Sequence, residues 1–98
     1  MAIYKSFTGD QTNIVLIAKG GRNNGNVNKI LITNTHPSNV LKVTLDLHDG
    51  TNTFNIVKLI QVPTSVSLLL DENIRFDSNI YNLRITTTNS ANCDLIIK

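Results

Sequence analysis

Three side chains in this 98-residue sequence could do chemistry through sulfur or imidazole: His36, His48 and Cys93. Nucleophilic catalysis needs a Ser, Cys or Thr beside a base that a third group orients. His36 precedes Pro37 and His48 precedes Asp49-Gly50, so both bases fall at turns. Cys93 shares a strand face with Leu95 and Ile97. Free Cys is among the most buried residue types, so a structural thiol is expected there. A zinc site draws three or four Cys or His ligands, and these three residues match no such spacing. Asp46, His48 and Asp49 could bind a metal weakly, but a solvated strand end accounts for them better. The acidic residues Asp71, Glu72 and Asp77 lack the alternating oxygen ligands and fixed Gly of a calcium loop. Gly20-Gly21-Arg22-Asn23-Asn24-Gly25 fits neither common phosphate-binding pattern, and a strand rather than a helix follows it. The sequence therefore assigns no catalytic residue, cofactor or metal ligand, and a non-enzymatic protein is expected.

The elements around those residues are strands. Ile, Val and Thr supply 12, 7 and 11 residues against one Glu, two Gln and three Ala, so β-formers dominate and helix formers are scarce. Fourteen Asn punctuate the apolar runs as turn residues. Ile3 to Phe7, Asn13 to Ala18, Lys29 to Thr35, Val40 to His48, the run after Thr53, Val66 to Leu70, Ile74 to Phe76, Leu83 to Thr87 and Cys93 to Ile97 all read as extended. The expectation is one all-β domain over residues 1–98, a single β-sandwich (jelly-roll or immunoglobulin-like) of about eight short, mostly antiparallel strands. Residues 1–12 form an N-terminal strand or arm, and residues 19–28 a Gly/Asn-rich loop. Asn13 to Ala18, a continuous apolar run, predicts a strand covered on both faces. Only Val66 to Glu72 leaves room for a turn of helix.

Asp49-Gly50 is a strong hairpin signal, because a type I′ turn needs positive φ at both positions. A two-residue turn there pairs Leu45 with Phe54 and Val43 with Ile56 as core partners. Beyond Val57 the alternation fails, which predicts a bulge or a fully covered strand end. A second hairpin is expected across Asn89-Ser90-Ala91-Asn92. Residues 29–45 and 82–98 echo one another: Ile32, Thr33, Thr35 and Asn39 match Ile85, Thr86, Thr88 and Asn92, and Val43 resembles Ile96. Two similar hairpins of that kind suit a pseudo-symmetric sandwich.

Charge and composition narrow the partners. The net charge is +2, no two of the nine basic residues are adjacent, and Trp is absent, so the basic stripe of a nucleic-acid binder is missing. The longest apolar stretch, Ile14 to Ala18, is too short to span a bilayer or to serve as a signal peptide. One Cys excludes an intramolecular disulfide. Charged residues are only 16%, so the surface is built of Asn, Thr and Ser and repels copies of itself weakly.

From Val27-Asn28-Lys29-Ile30-Leu31-Ile32-Thr33-Asn34-Thr35, through Val43-Thr44-Leu45-Asp46-Leu47 and Val62-Pro63-Thr64-Ser65-Val66-Ser67-Leu68-Leu69-Leu70, to Leu83-Arg84-Ile85-Thr86, the chain resembles small all-β virion proteins of tailed bacteriophages, especially phages of marine cyanobacteria. The resemblance covers residues 27–98. Val62-Pro63 stands where similar sequences carry a Pro-Ala-Gly turn. The resemblance implies a structural subunit of the virion, assembled in the host cytoplasm: a capsid decoration or cement protein that binds the major capsid protein or other virion subunits and forms a homo-oligomer. A neck or tail component and a sugar-binding module are the alternatives. Ile3, Tyr4, Phe7, Arg22, Asn23 and Asn24 are the residues expected to contact a partner.

Overall fold

The β-branched runs extend into strands throughout the residues that the computed structural model describes, 2–20 and 26–98. They are β1 (Ile3–Thr8), β2 (Gln11–Ile17), β3 (Asn26–Val27), β4 (Ile30–Asn34), β5 (Leu41–His48), β6 (Thr53–Val62), β7 (Ser67–Leu70), β8 (Ile74–Arg75), β9 (Asn82–Thr88) and β10 (Asn92–Ile97). The strands form three antiparallel sheets, ordered β1-β10-β4-β7, β2-β9-β5-β6 and β3-β8. Ten strands stand among the described residues against about eight expected: β8 lies within the expected Ile74 to Phe76 segment, whereas β3 falls in the stretch 19–28 expected as a loop. Val66 to Glu72 holds β7 and no helical turn.

Pairing in this fold is nested. β1 pairs with β10, β2 with β9, β3 with β8, β4 with β7 and β5 with β6. The chain is thus one long antiparallel ribbon, doubled back at the β5–β6 hairpin. The ribbon then coils so that β10 lies beside β4 and β9 beside β5. The short β3–β8 pair is the stretch of ribbon that passes from one large sheet to the other.

The two large sheets close over one core. Ile30, Ile32, Cys93, Leu95 and Ile97 enter it from one sheet, and Leu41, Val43, Leu45, Leu83 and Ile85 from the other. All are buried, as alternation on each strand requires. Asn34 is buried with them and fully paired. Its Nδ2 donates to the carbonyls of Asn39 and Val62, both at 2.9 Å, and its Oδ1 accepts from the His36 amide at 2.9 Å. One side chain thereby ties the β4–β5 corner to the end of β6, and no buried donor or acceptor is left empty there.

The echo between residues 29–45 and 82–98 has a structural counterpart, though not as hairpins. β4 and β5 lie in different sheets, as do β9 and β10, so each segment is a strand, a corner and a strand in the opposite sheet. The second expected hairpin is therefore absent: Asn89 and Ser90 take positive φ at a corner where the chain changes sheets. The pairs Cys93–Asn34, Leu95–Ile32 and Ile97–Ile30 correspond one by one to Val43–Thr87, Leu45–Ile85 and Leu47–Leu83. With Ile32 matched to Ile85, as in the echo, to align the two sets of pairs, Cys93 takes the place of Val43. Ile96, which resembles Val43 in the sequence alignment, is equivalent to Asp46 instead. The cause is corner length: residues 35–40 join β4 to β5, whereas only 89–91 join β9 to β10.

The β5–β6 register also differs from expectation. Phe54 faces Leu47, and Leu45 faces Val57. Asp49 does not take positive φ; only Gly50 does, at 103°. The Asp49 carboxylate instead accepts the amides of Thr51 at 2.8 Å and Asn52 at 2.6 Å, which builds a four-residue turn. These bonds hold its carboxyl below the usual carboxylate range. The irregularity expected beyond Val57 is a bulge, with register shifts on either side of Leu45. Leu59 there has φ of 51°, and its amide donates to Thr44 Oγ1 at 3.0 Å. The strand β2 is a bulged edge with Val15 exposed but the adjacent Leu16 and Ile17 both buried, so the run Asn13 to Ala18 is covered only in part.

Candidate interaction surface

The outward side of the β1-β10-β4-β7 sheet carries the most organised surface feature. Directly opposed residues in antiparallel strands point to the same face. Tyr4 opposes Ile96, Ile96 opposes Leu31, and Leu31 opposes Leu69. Four apolar side chains therefore form one row across all four strands, with the outer two open to solvent (Tyr4 68% and Leu69 51% exposed). A depression of about 400 Å³ opens beside Tyr4 and Ile96 and is also lined by Ser6 and Asp94.

Polar rows flank the apolar one. On one side lie Ser6, Asp94, Thr33 and Ser67, in register across the same strands. Ser6 Oγ donates to Asp94 Oδ1 at 2.8 Å, and the Thr33 and Ser67 hydroxyls bond at 2.7 Å. On the other side, Lys98 and Lys29 exchange backbone hydrogen bonds, and Lys29 Nζ approaches Asp71 Oδ1 at 3.8 Å. The opposite sheet presents a different outer face. There Val15, Arg84, Asp46 and Asn55 make the equivalent row, with an ion pair at its centre.

Of the residues expected to contact a partner, Tyr4 points outward and is exposed. Ile3 and Phe7, its neighbours by alternation, pack against the core and serve to seat β1. Lys5, with the inward parity of Ile3 and Phe7, stays exposed at the sheet edge, where a charge discourages a further strand from adding. The segment expected as an arm, residues 1–12, contains β1 as a fully paired edge strand and the start of β2. Arg22, Asn23 and Asn24 lie outside the described residues.

The residues with chemical potential serve local structure. His36 Nδ1 accepts the amides of Ser38 at 3.1 Å and Asn39 at 2.9 Å, closing a turn. His48 Nδ1 contacts Thr53 Oγ1 at 2.9 Å across the β5–β6 hairpin. Asp77 Oδ1 accepts the Asn79 amide at 3.0 Å. Cys93 is buried, and burial, aided by the Asp94 charge, pushes its thiol up to about 12. Among the described residues, no group of three or more His, Cys, Asp or Glu comes together.

Leu31, Ile96 and Leu69 are absent from the contact residues read in the sequence. A signal for them exists: Ile30-Leu31-Ile32, Leu95-Ile96-Ile97 and Leu68-Leu69-Leu70 are each consecutive apolar triplets, so the middle residue must face away from its neighbours' core. That the three middle residues align in a single row is a matter of non-local register. Comparison with family models, curated proteins and solved structures returns no match.

Proposed function

We propose that this chain is a non-enzymatic virion structural protein, a capsid decoration or cement subunit that binds the major capsid protein and stabilises the shell. The observation that carries the reading is strand order. Eight strands in two sheets, ordered β1-β10-β4-β7 and β2-β9-β5-β6, follow the path of a doubled ribbon wound into two Greek keys. We read that path as a jelly roll, an architecture recurrent in viral capsid proteins and in lectins. The weakly charged Asn- and Thr-rich surface adds support, because it lets many copies lie close together on a particle with little repulsion. The apolar row on one outer face is the kind of surface that a subunit of an assembly keeps covered.

A second reading, a sugar-binding module, draws on one observation. Phe54, 55% exposed, stands edge-to-face with Tyr81 at 5.9 Å between ring centroids, and aromatic faces stack on sugars. Quantitative peptide mass spectrometry on purified particles of the virus that encodes the chain tests the proposal. Copies near those of the major capsid protein are expected of a decoration subunit. A small fraction would move the chain to the neck or tail, and its complete absence would overturn the virion reading in favour of the sugar-binding one.

A further inference from the structure

We infer that the outer face of the β1-β10-β4-β7 sheet docks a second copy of this chain, related by a twofold axis that runs along the apolar row Tyr4, Ile96, Leu31 and Leu69. The charge pattern on β10 selects both occupant and axis. Asp94, Ile96 and Lys98 share the outward parity of that strand, with Ile96 midway between opposite charges. Rotation about the row lays each row residue over its own counterpart and exchanges the flanks. Asp94 of each copy then meets Lys98 of the other, so a single symmetry operation makes two reciprocal ion pairs around an apolar centre. On β4 and β7 the same rotation sets Lys29 over Thr33 and Asp71 over Ser67, with no like charges opposed.

The competing arrangement, a twofold axis parallel to the strands, places β10 over β4 of the other copy. Lys98 then faces Lys29, and Asp94 finds Thr33. Charge repulsion disfavours it. The opposite outer face offers no comparable self-complementarity, since its central charges, Arg84 and Asp46, already satisfy each other.

Size sets the strength. Four strands at ~4.8 Å spacing and about five residues at ~3.4 Å each give a patch of roughly 330 Å² per copy. A stable interface covers about 800 Å² per partner, so the dimer is a concentration-dependent one. A lattice of subunits on a particle supplies high local concentration, but the inference does not depend on the virion reading and is measured on the purified chain.

Sedimentation velocity over about 5–500 μM at low salt reads the association. The wild-type chain is expected to shift from monomer to dimer. Asp94→Lys and Lys98→Asp are each expected to weaken dimerisation at least ~10-fold, and the double variant to recover to within ~3-fold of wild type, because the swap restores both pairs. Lys58→Asp, an exposed reversal on β6, should leave the dimer unchanged. A thermal melt of each variant checks that it is folded. A wild-type chain that stays monomeric at the highest concentration, single reversals that change nothing, or a folded double variant that fails to recover would each overturn the inference.

Discussion

Arg84 Nε donates to Asp46 Oδ1 at 2.8 Å across the central strands β9 and β5, and both side chains are nearly closed off on an outward face (14% and 6% exposed). Opposed residues on adjacent strands meet without any loop to position them, so the pair costs little conformational entropy beyond that of the sheet. Its desolvation is high, and that decides what mutation does. Arg84→Ala leaves a carboxylate without its partner and should cost about 3–5 kcal/mol, whereas replacing both by apolar residues, Asp46→Leu with Arg84→Met, should be near neutral. Urea unfolding of the three proteins separates these outcomes. Equal stability of the single and double variants would show that the ion pair contributes little.

Leu45 and Phe54 are not partners, and their substitutions should differ accordingly. Leu45 is wholly buried between the sheets, so Leu45→Ala should cost about 3–5 kcal/mol. Phe54 lies over half exposed and keeps an edge contact with Tyr81, so Phe54→Ala should cost only about 1–2 kcal/mol. Thermal or urea denaturation measures both. A Phe54→Ala loss as large as that at Leu45 would restore the two-residue turn and the register it implies.

Cys93 gives the pH dependence. Burial raises the folded thiol from 9.0 to about 12, so folded and unfolded chains bind the same proton below pH 9. Above pH 9 the unfolded chain loses that proton while the folded one keeps it, and this contribution to stability falls as pH rises toward about 12. Cys93→Val should remove that alkaline decline. Val43, the equivalent residue in the other sheet, shows that Val fits such a site, so the variant should lie within ~1.5 kcal/mol of wild type at pH 7. A native thiol that reacts with a disulfide reagent at pH 8 as fast as in urea would contradict the burial on which this rests.

Strand positions were largely legible because they depend on local pattern. Leu41, Val43 and Leu45 alternate with Lys42 and Thr44, and β5 follows that alternation in burial as far as Asp46, whose side chain is closed off beside Arg84. Turn chemistry was less legible. The carboxylate of Asp49 can cap amides two and three residues on, and this competes with the positive φ that a two-residue turn demands of it. Adding two residues to the turn preserves the parity of every side chain, so both registers satisfy the same hydrophobic pattern. The bulge at Leu59 was visible as broken alternation after Val57. Sheet membership was not: Asn89 to Asn92 suits a tight hairpin and a corner between sheets equally well, because both need positive φ and polar caps.

By itself the sequence determined that this protein is all-β, where its longer strands lie, that Cys93 is a core residue, and that its surface is nearly neutral. Those properties follow from side-chain period, backbone preference and composition, all of which act over a few residues. Only the tertiary structure decided that β1 pairs with β10 and β4 with β7, that Ile3 and Phe7 seat a strand while Tyr4 faces out, and that Tyr4, Ile96, Leu31 and Leu69 fall into one row. Such a row needs residues far apart in the chain to share a register. That register is set by how two sheets wind around a common core, which no local pattern encodes.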